Sequence, residues 1–387
     1  MFKSSPKRFN DIINHLKLYD DAELPFMSVD NNILAFDNGV LELDTVTFHE
    51  YGSEVAKDAV ARHYIPHVFT GNMHTPLFDT ILYHQLKDRT LDEAHEIYNI
   101  FLALIGRSFF PIGTYDNLAI APYLLGESNT GKSTIVNVVK AMYAPHSVAA
   151  ISATHEQQFG LDNLHDKELI IIPEVPSNLH KILDVTLLQS MISGDDISVA
   201  GKYSKAFSRK FRVPQWFAGN FFPQYVDTKG AAVRRLPIFM FEQFIEKRDG
   251  TMEKTIIKNE LGDLIYKSLK AYFKMINENK GRDFWDFCPT YFIDNRELAS
   301  VATNWLHRFL TASPDENRSK EAKFYVRKKV LAGDKRLKSP LDDIKKLFTN
   351  YMRFNHPNEK IVWNDNDHTT FKQLGYEVVK EHIYMVI

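Results

Sequence analysis

Nine consecutive residues carry the clearest chemistry in this chain: Gly126, Glu127, Ser128, Asn129, Thr130, Gly131, Lys132, Ser133 and Thr134. They fit G-x-x-x-x-G-K-[ST], the spacing of a loop that cradles phosphates. Glycines let the backbone curl until successive N–H groups face one anion. A helix that begins there adds the partial positive charge of its N-terminus. In such a loop Lys132 reaches the outer phosphates of a nucleoside triphosphate, and the Ser133 hydroxyl is offered to Mg²⁺.

Further chemistry follows downstream. Ile170-Ile171-Ile172-Pro173-Glu174 ends an apolar run on a carboxylate, which beside a phosphate loop can polarise an attacking water. Between Gly201 and Arg212 stand Lys202, Lys205, Arg209 and Lys210 with no acid among them, interleaved with Tyr203 and Phe207. Cations and aromatics on one hairpin suit a phosphodiester backbone and unstacked bases. A basic face that is merely solvated reads the same way. Trp216-Phe217-Ala218-Gly219-Asn220 ends an apolar run on an amide able to hydrogen-bond a γ-phosphate or a water. Arg234-Arg235 then supply cations of the kind that neutralise charge in phosphoryl transfer.

These groups need elements to hold them. Residues 118–125 are apolar and short enough for a buried strand, and residues 134–143 have the apolar spacing of a helix. Strands are predicted over 169–173, 212–219 and 236–241, with a helix over 183–192. The alternation gives an α/β fold class with a nucleotide-binding core. Upstream, Asn38-Gly39 between two apolar runs predicts a hairpin, with a further strand over 45–51. Thr90 and Glu93 form a capping box that opens a helix through about Gly106. Residues 53–89 read as short helices and loops, 259–276 as one long amphipathic helix, and 280–300 as a loop-rich connector.

At each end the reading is simpler. Residues 9–18 suggest a short amphipathic helix. Residues 300–310, 341–354 and 369–374 suggest helices, 313–317 a loop, and 377–387 a terminal strand or wing. A stretch rich in Lys and Arg over 318–338 gives the tail a possible duplex-binding face.

Composition sets bounds on function. The chain has 387 residues, 44% hydrophobic and 25% charged, as soluble globular domains do. Its formal net charge is −2, so binding to nucleic acid must rest on local basic faces. One cysteine, Cys288, leaves no internal disulfide and no cysteine-built metal site. No signal-peptide core opens the sequence and no apolar run reaches membrane-spanning length, so the expectation is a soluble intracellular protein.

Taken in order, the motifs resemble those of superfamily 3 DNA helicases, in the branch of poxvirus-type and phage or plasmid primase–helicases. Residues 126–134 stand as Walker A, 170–174 as Walker B, 193–205 as the basic hairpin, 217–220 as motif C, and Arg234-Arg235 as the arginines. Asp37-Asn38-Gly39-Val40-Leu41-Glu42-Leu43 resembles the start of that branch's N-terminal domain. The resemblance spans about residues 30–290.

What it implies is an AAA+ ATPase core at 111–300, after an N-terminal hairpin and helical domain at 1–110 and before a winged-helix-like unit at 301–387. It implies ATP and Mg²⁺ as cofactors, a homo-oligomeric ring that is usually a hexamer, and 3′ to 5′ movement on single-stranded or forked DNA. Lys132 would grip phosphates, Ser133 hold Mg²⁺, Glu174 orient water and Asn220 sense the γ-phosphate. Arg234 or Arg235 would act on a neighbour's nucleotide, with Arg234 preferred. Lys202, Tyr203 and Lys205 would contact DNA. Replication of a virus or mobile element, in host cytoplasm or nucleus, is the implied setting. A separate primase is the implied partner unless the sequence is a fragment.

Pro173 departs from the pattern, since many Walker B elements carry a first acid there. Two alternatives stand beside the helicase: an AAA+ DNA-melting initiator, and an ATP-gated DNA-binding scaffold.

Overall fold

The computed structural model describes residues 29–151, 164–175, 184–199, 207–221, 232–247, 249–303, 306, 309, 338–355, 376–379 and 382–385. The helices expected at 9–18 and 369–374 and the loop at 313–317 lie outside them, as does part of the helix expected at 300–310. The chain divides into two compact units, Met1–Pro66 and His67–Ile387. No helix among the described residues is long and apolar enough to cross a membrane.

The first unit holds β1 (Asp30–Phe36), β2 (Gly39–Glu42), β3 (Thr47–Glu50), the short helix α1 (Glu54–Asp58) and β4 (Ala61–Tyr64). They form one sheet in the order β3-β2-β1-β4. The expected hairpin is present, but its turn sits one residue earlier than Asn38-Gly39. Phe36 pairs with Gly39, so Asp37 and Asn38 make the loop, and neither has positive φ. Strand β4 pairs parallel to β1, a long-range contact in a segment read from sequence as helices and loops.

The second unit opens with α2 (Pro76–Gln85) and α3 (Leu91–Arg107). The capping box of α3 forms as expected: the Thr90 side chain accepts from the Glu93 amide and the Glu93 carboxylate accepts from the Thr90 amide. Ile97, Phe101, Leu104 and Ile105 share the buried face.

Next come β5 (Tyr123–Gly126), α4 (Lys132–Ala141), β6 (Val148–Ala150), β7 (Leu169–Ile172), α5 (Val185–Ser193), β8 (Asp196–Val199), β9 (Phe207–Lys210), β10 (Gln215–Gly219) and β11 (Ile238–Phe241). Five of these strands make a sheet in the order β11-β5-β10-β7-β6, and every pairing is parallel. Strands buried on both faces need continuous apolar runs, and all four residues of Leu169–Ile172 are buried. The strand predicted over 118–125 is confined to its end, because the buried Arg107 guanidinium takes the carbonyls of Leu118 and Ile120.

After the sheet stand α6 (Met252–Asn259), α7 (Leu261–Glu278) and α8 (Thr290–Thr303). The single helix expected over 259–276 is α7, and α6 precedes it, separated from it by Glu260. The connector expected over 280–300 is half helix. Helix α8 is fixed to β11 by side chains: Asn295 donates to the Ile238 carbonyl at 3.0 Å, and the Met240 amide donates to the Tyr291 hydroxyl at 2.7 Å. Towards the C-terminus, β12 (Lys338–Pro340), α9 (Leu341–Asn355), β13 (Tyr376–Val379) and β14 (His382–Met385) include a three-stranded sheet in the order β12-β14-β13.

Candidate functional site

The phosphate-type loop runs from the end of β5 into the first turn of α4. Its backbone takes the turns the sequence demands. Gly131 caps α4 at φ +94°, a conformation that a side chain would strain, and Asn129 has φ +67°. Gly126 is constrained by space: a Cβ there would stand 2.0 Å from the Phe241 carbonyl oxygen of β11. Glu127, Ser128 and Ser133 are exposed, whereas Thr130 is buried and bonds the Glu127 carbonyl at 2.9 Å.

Lys132 is the electrostatic centre of the loop. Only 9% of it is exposed. Its ammonium donates to the carbonyls of Gly126 and Glu127, and to the Thr130 hydroxyl at 3.3 Å. Among the described residues no carboxylate forms an ion pair with it. Burial pushes its pKa down from the ordinary lysine range, with the Glu127 charge opposing. A buried cation held by neutral carbonyls is poised to accept an anion, since burying unpaired charge is unfavourable.

The neighbouring strand ends come to the same edge. Gly219 is level with Leu125 across β10 and β5, so Asn220 follows at the level of Gly126. On the other side of β10, Phe217 pairs with Ile172, and the Val175 amide donates to the Ala218 carbonyl at 2.8 Å. Glu174 thus leaves β7 beside the end of β10, two strands from the loop. Two steps of a sheet are about 10 Å. Glu174 and Asn220 are exposed. The Tyr123 hydroxyl donates to the Phe221 carbonyl, which fastens the residue after Asn220 to β5. In open parallel sheets this edge, outside the C-terminal strand ends, is where ligands bind.

The arginine pair lies elsewhere. Arg234 and Arg235 sit in a 3-10 turn just before β11. Because β11 runs parallel to β5, the pair is at the opposite end of the strands from the loop. The two side chains differ. Arg235 is half-buried and donates to the Ser193 hydroxyl at 3.3 Å. Arg234 is exposed, while its carbonyl accepts from the Trp285 indole at 2.7 Å and the Arg296 guanidinium lies 4.2 Å from the centre of that indole.

Of the basic hairpin, the stem is described: β8 and β9 pair antiparallel from Asp196↔Lys210 to Val199↔Phe207. Lys202, Tyr203 and Lys205 lie outside the described residues.

Two contributors to this site carry no sequence signal. They are Tyr123, which reaches past Asn220, and Gln85 at the end of α2, which bonds the Thr130 carbonyl at 3.0 Å. Their partners are 98 and 45 residues away in sequence, beyond any local pattern.

Comparison with known families gives one match: the model of DUF5906, a family of unknown function, over residues 124–235. The range opens inside β5 and closes on Arg235, so it takes in the loop, Glu174, Asn220 and the arginine pair. A search of curated proteins finds no match. Among solved structures, an A-form apo structure of the NrS-1 C-terminal region is similar at 15% identity and a TM-score of 0.44, over 82% of this chain and 76% of that one. An apo structure of residues 305–718 of NrS-1 is similar at 13% identity and a TM-score of 0.42, over 92% of this chain and 95% of that one. At these scores the likeness carries no argument about this chain.

Proposed function

We propose that this chain is an ATP-driven DNA helicase of the superfamily 3 kind, which works as a ring and draws single-stranded DNA through its centre. The observation that carries the reading is the buried Lys132 ammonium at the first residue of α4, without an ion pair among the described residues, with Glu174 and Asn220 leaving strands at the same sheet edge. Triphosphate is the anion that suits a glycine loop, a helix N-terminus and a lysine together.

In this reading Lys132 and the loop amides bind the phosphates. The exposed Ser133 hydroxyl would hold Mg²⁺ together with the nucleotide and waters, and the ion would supply charge neutralisation. That set fits the chain, because Mg²⁺ keeps several waters and needs no cage of acids, and the described residues offer none. Glu174 orients the attacking water and Asn220 reads the γ-phosphate. Arg234 serves a neighbouring copy's nucleotide. Its exposure favours it over Arg235, which is engaged with Ser193. Lys202, Tyr203 and Lys205 hold the DNA. The proposed units are an N-terminal region at 1–110, the AAA+ ATPase at 111–300 and a winged-helix-like unit at 301–387.

Pro173 favours a second reading, an ATP-gated DNA-binding scaffold with crippled hydrolysis, and a DNA-melting initiator without processive unwinding stands beside it. The experiment is ATP turnover with and without single-stranded DNA, alongside strand displacement on a tailed fork. The expected result is turnover stimulated by DNA and displacement of the strand, both abolished in Lys132→Ala. Stimulated turnover without displacement supports the melting role, and no DNA-stimulated turnover overturns the helicase.

A further inference from the structure

Resting on the ATPase reading, we propose that Gln85 is a positioning residue for nucleotide: it aims the backbone donors of the phosphate loop. Every polar group of its side chain is committed. The amide nitrogen donates to the Thr130 carbonyl at 3.0 Å and to the Gln243 carbonyl at 2.8 Å, and the amide oxygen accepts from the Gln243 amide at 2.8 Å. Gln85 therefore pairs with Gln243 as a strand would, and spends its remaining donor on the loop.

The consequence lies in peptide geometry. A trans peptide holds its C=O and N–H in one plane, pointing in opposite directions. Holding the Thr130 carbonyl from the α2 side turns the Gly131 N–H the other way. The preceding plane is held too, because the Ile245 amide donates to the Asn129 carbonyl at 3.0 Å, and this orients the Thr130 N–H. Two successive loop amides are thus set by contacts on their carbonyls, beside residues at φ +67° and +94°. Successive amides arranged in this way form an anion-binding concavity.

Helix α2 is a suitable strut for this task. Its far end is fixed by the buried Glu260 carboxylate, which accepts from the amides of Leu77 and Phe78 at 2.9 and 3.0 Å. Glu260 stands between α6 and α7, and α6 is joined to the loop's own helix α4 by Asn137, which donates to Glu253 at 2.9 Å. The path from loop to α4, α6, α2 and back to the loop closes at Gln85.

The test uses the full-length protein, a fluorescent ATP analogue and thermal melting. In Gln85→Met the dissociation constant of the analogue should rise about tenfold, as expected for one lost, partly buried donor. In Gln85→Glu a carboxylate oxygen faces the carbonyls of Thr130 and Gln243, so affinity should be weak at about pH 8 and recover towards about pH 5.5 as the acid gains a proton to donate. The readout is the variant-to-wild-type ratio at each pH, which cancels titration of the nucleotide. A purely structural role would lower the melting temperature and leave that ratio flat.

A ratio that falls with pH supports the role. A flat ratio overturns it, as does Gln85→Met binding like wild type. Should Gln85→Met not fold, the Gln85→Glu ratio decides alone. Wild-type protein that binds no analogue at any pH overturns the ATPase reading and this role with it, an outcome distinct from variants that bind normally.

Discussion

Two buried cations in the second unit meet opposite treatment. Arg107 is 6% exposed and Lys132 is 9% exposed. Arg107 has a buried carboxylate beside it: Asp116 accepts from its Nε at 2.9 Å and from Nη2 at 3.0 Å, while the Ile120 and Leu118 carbonyls take further donors. Asp116 also accepts from the Tyr272 hydroxyl at 2.6 Å and the Leu118 amide at 2.9 Å. Among the described residues, Lys132 hydrogen-bonds neutral oxygens alone. A charge that is neutralised and saturated holds structure, here the segment that leads into β5. A charge left without an ion pair is less stable, and its burial makes physical sense as a place kept for an anion.

Replacing Lys132 by Met sharpens that contrast most. ATP turnover should fall by about a hundredfold or more, since a preorganised charge at the reacting phosphates is lost. Stability should hold or rise, because a buried unpaired charge is exchanged for an apolar chain of similar length. Turnover assays beside urea melts check both parts. A variant that keeps turnover, or that loses several kcal/mol of stability, would make Lys132 a structural cation like Arg107.

The reverse experiment converts Arg107 into the situation of Lys132. Asp116→Asn keeps the shape and removes the charge, which leaves a buried guanidinium without its partner. The expected loss is about 3–5 kcal/mol of unfolding free energy, the range for breaking one side of a buried pair. Urea denaturation measures it, and a loss under about 1 kcal/mol would place the pair with exposed salt bridges instead.

The two cations also differ in how far the sequence announced them. Lys132 was legible because its meaning is local: the glycines, the lysine and the hydroxyls are consecutive, and an apolar run precedes them. The strand ends carrying Glu174 and Asn220 were legible for the same reason. What escaped was every feature set by distant partners. Arg107 follows the expected end of a helix at about Gly106 and has no local signal until Asp116 and the Leu118 carbonyl are seen to converge on it. Helix α8 reads as a loop over its aromatic residues, because its docking depends on Tyr291 and Asn295 meeting β11. Helix α6 escapes notice just ahead of the expected helix, and the Glu260 carboxylate between the two is diverted to cap α2, far off in the chain. Gln85 has no pattern at all, and its second partner is 158 residues away.

The smallest effect is the most discriminating, because the two sites should respond on opposite sides of neutral pH. Burial alone would raise Asp116, but the Arg107 charge and the hydrogen bonds from Arg107, Tyr272 and Leu118 outweigh it and hold the carboxyl below its ordinary range. A depressed carboxyl contributes stability that is present above its unfolded pKa and is lost as pH falls through the folded value. The wild-type advantage over Asp116→Asn should therefore be constant above about pH 5 and shrink below about pH 4. For Lys132 the folded pKa is also depressed, but the group is a base, so the unfolded chain binds the extra proton. Its burial then opposes folding at neutral pH, and the penalty fades as pH climbs through the folded value towards about 10.4. Any stability gained in Lys132→Met should accordingly be flat through neutral pH and close on the alkaline side. Chemical denaturation of the two variants against wild type from acid to alkaline pH reads both slopes. If the Lys132→Met difference closed on the acid side instead, the ammonium would be paired with a carboxylate in solution, and the distinction between the two cations would fail.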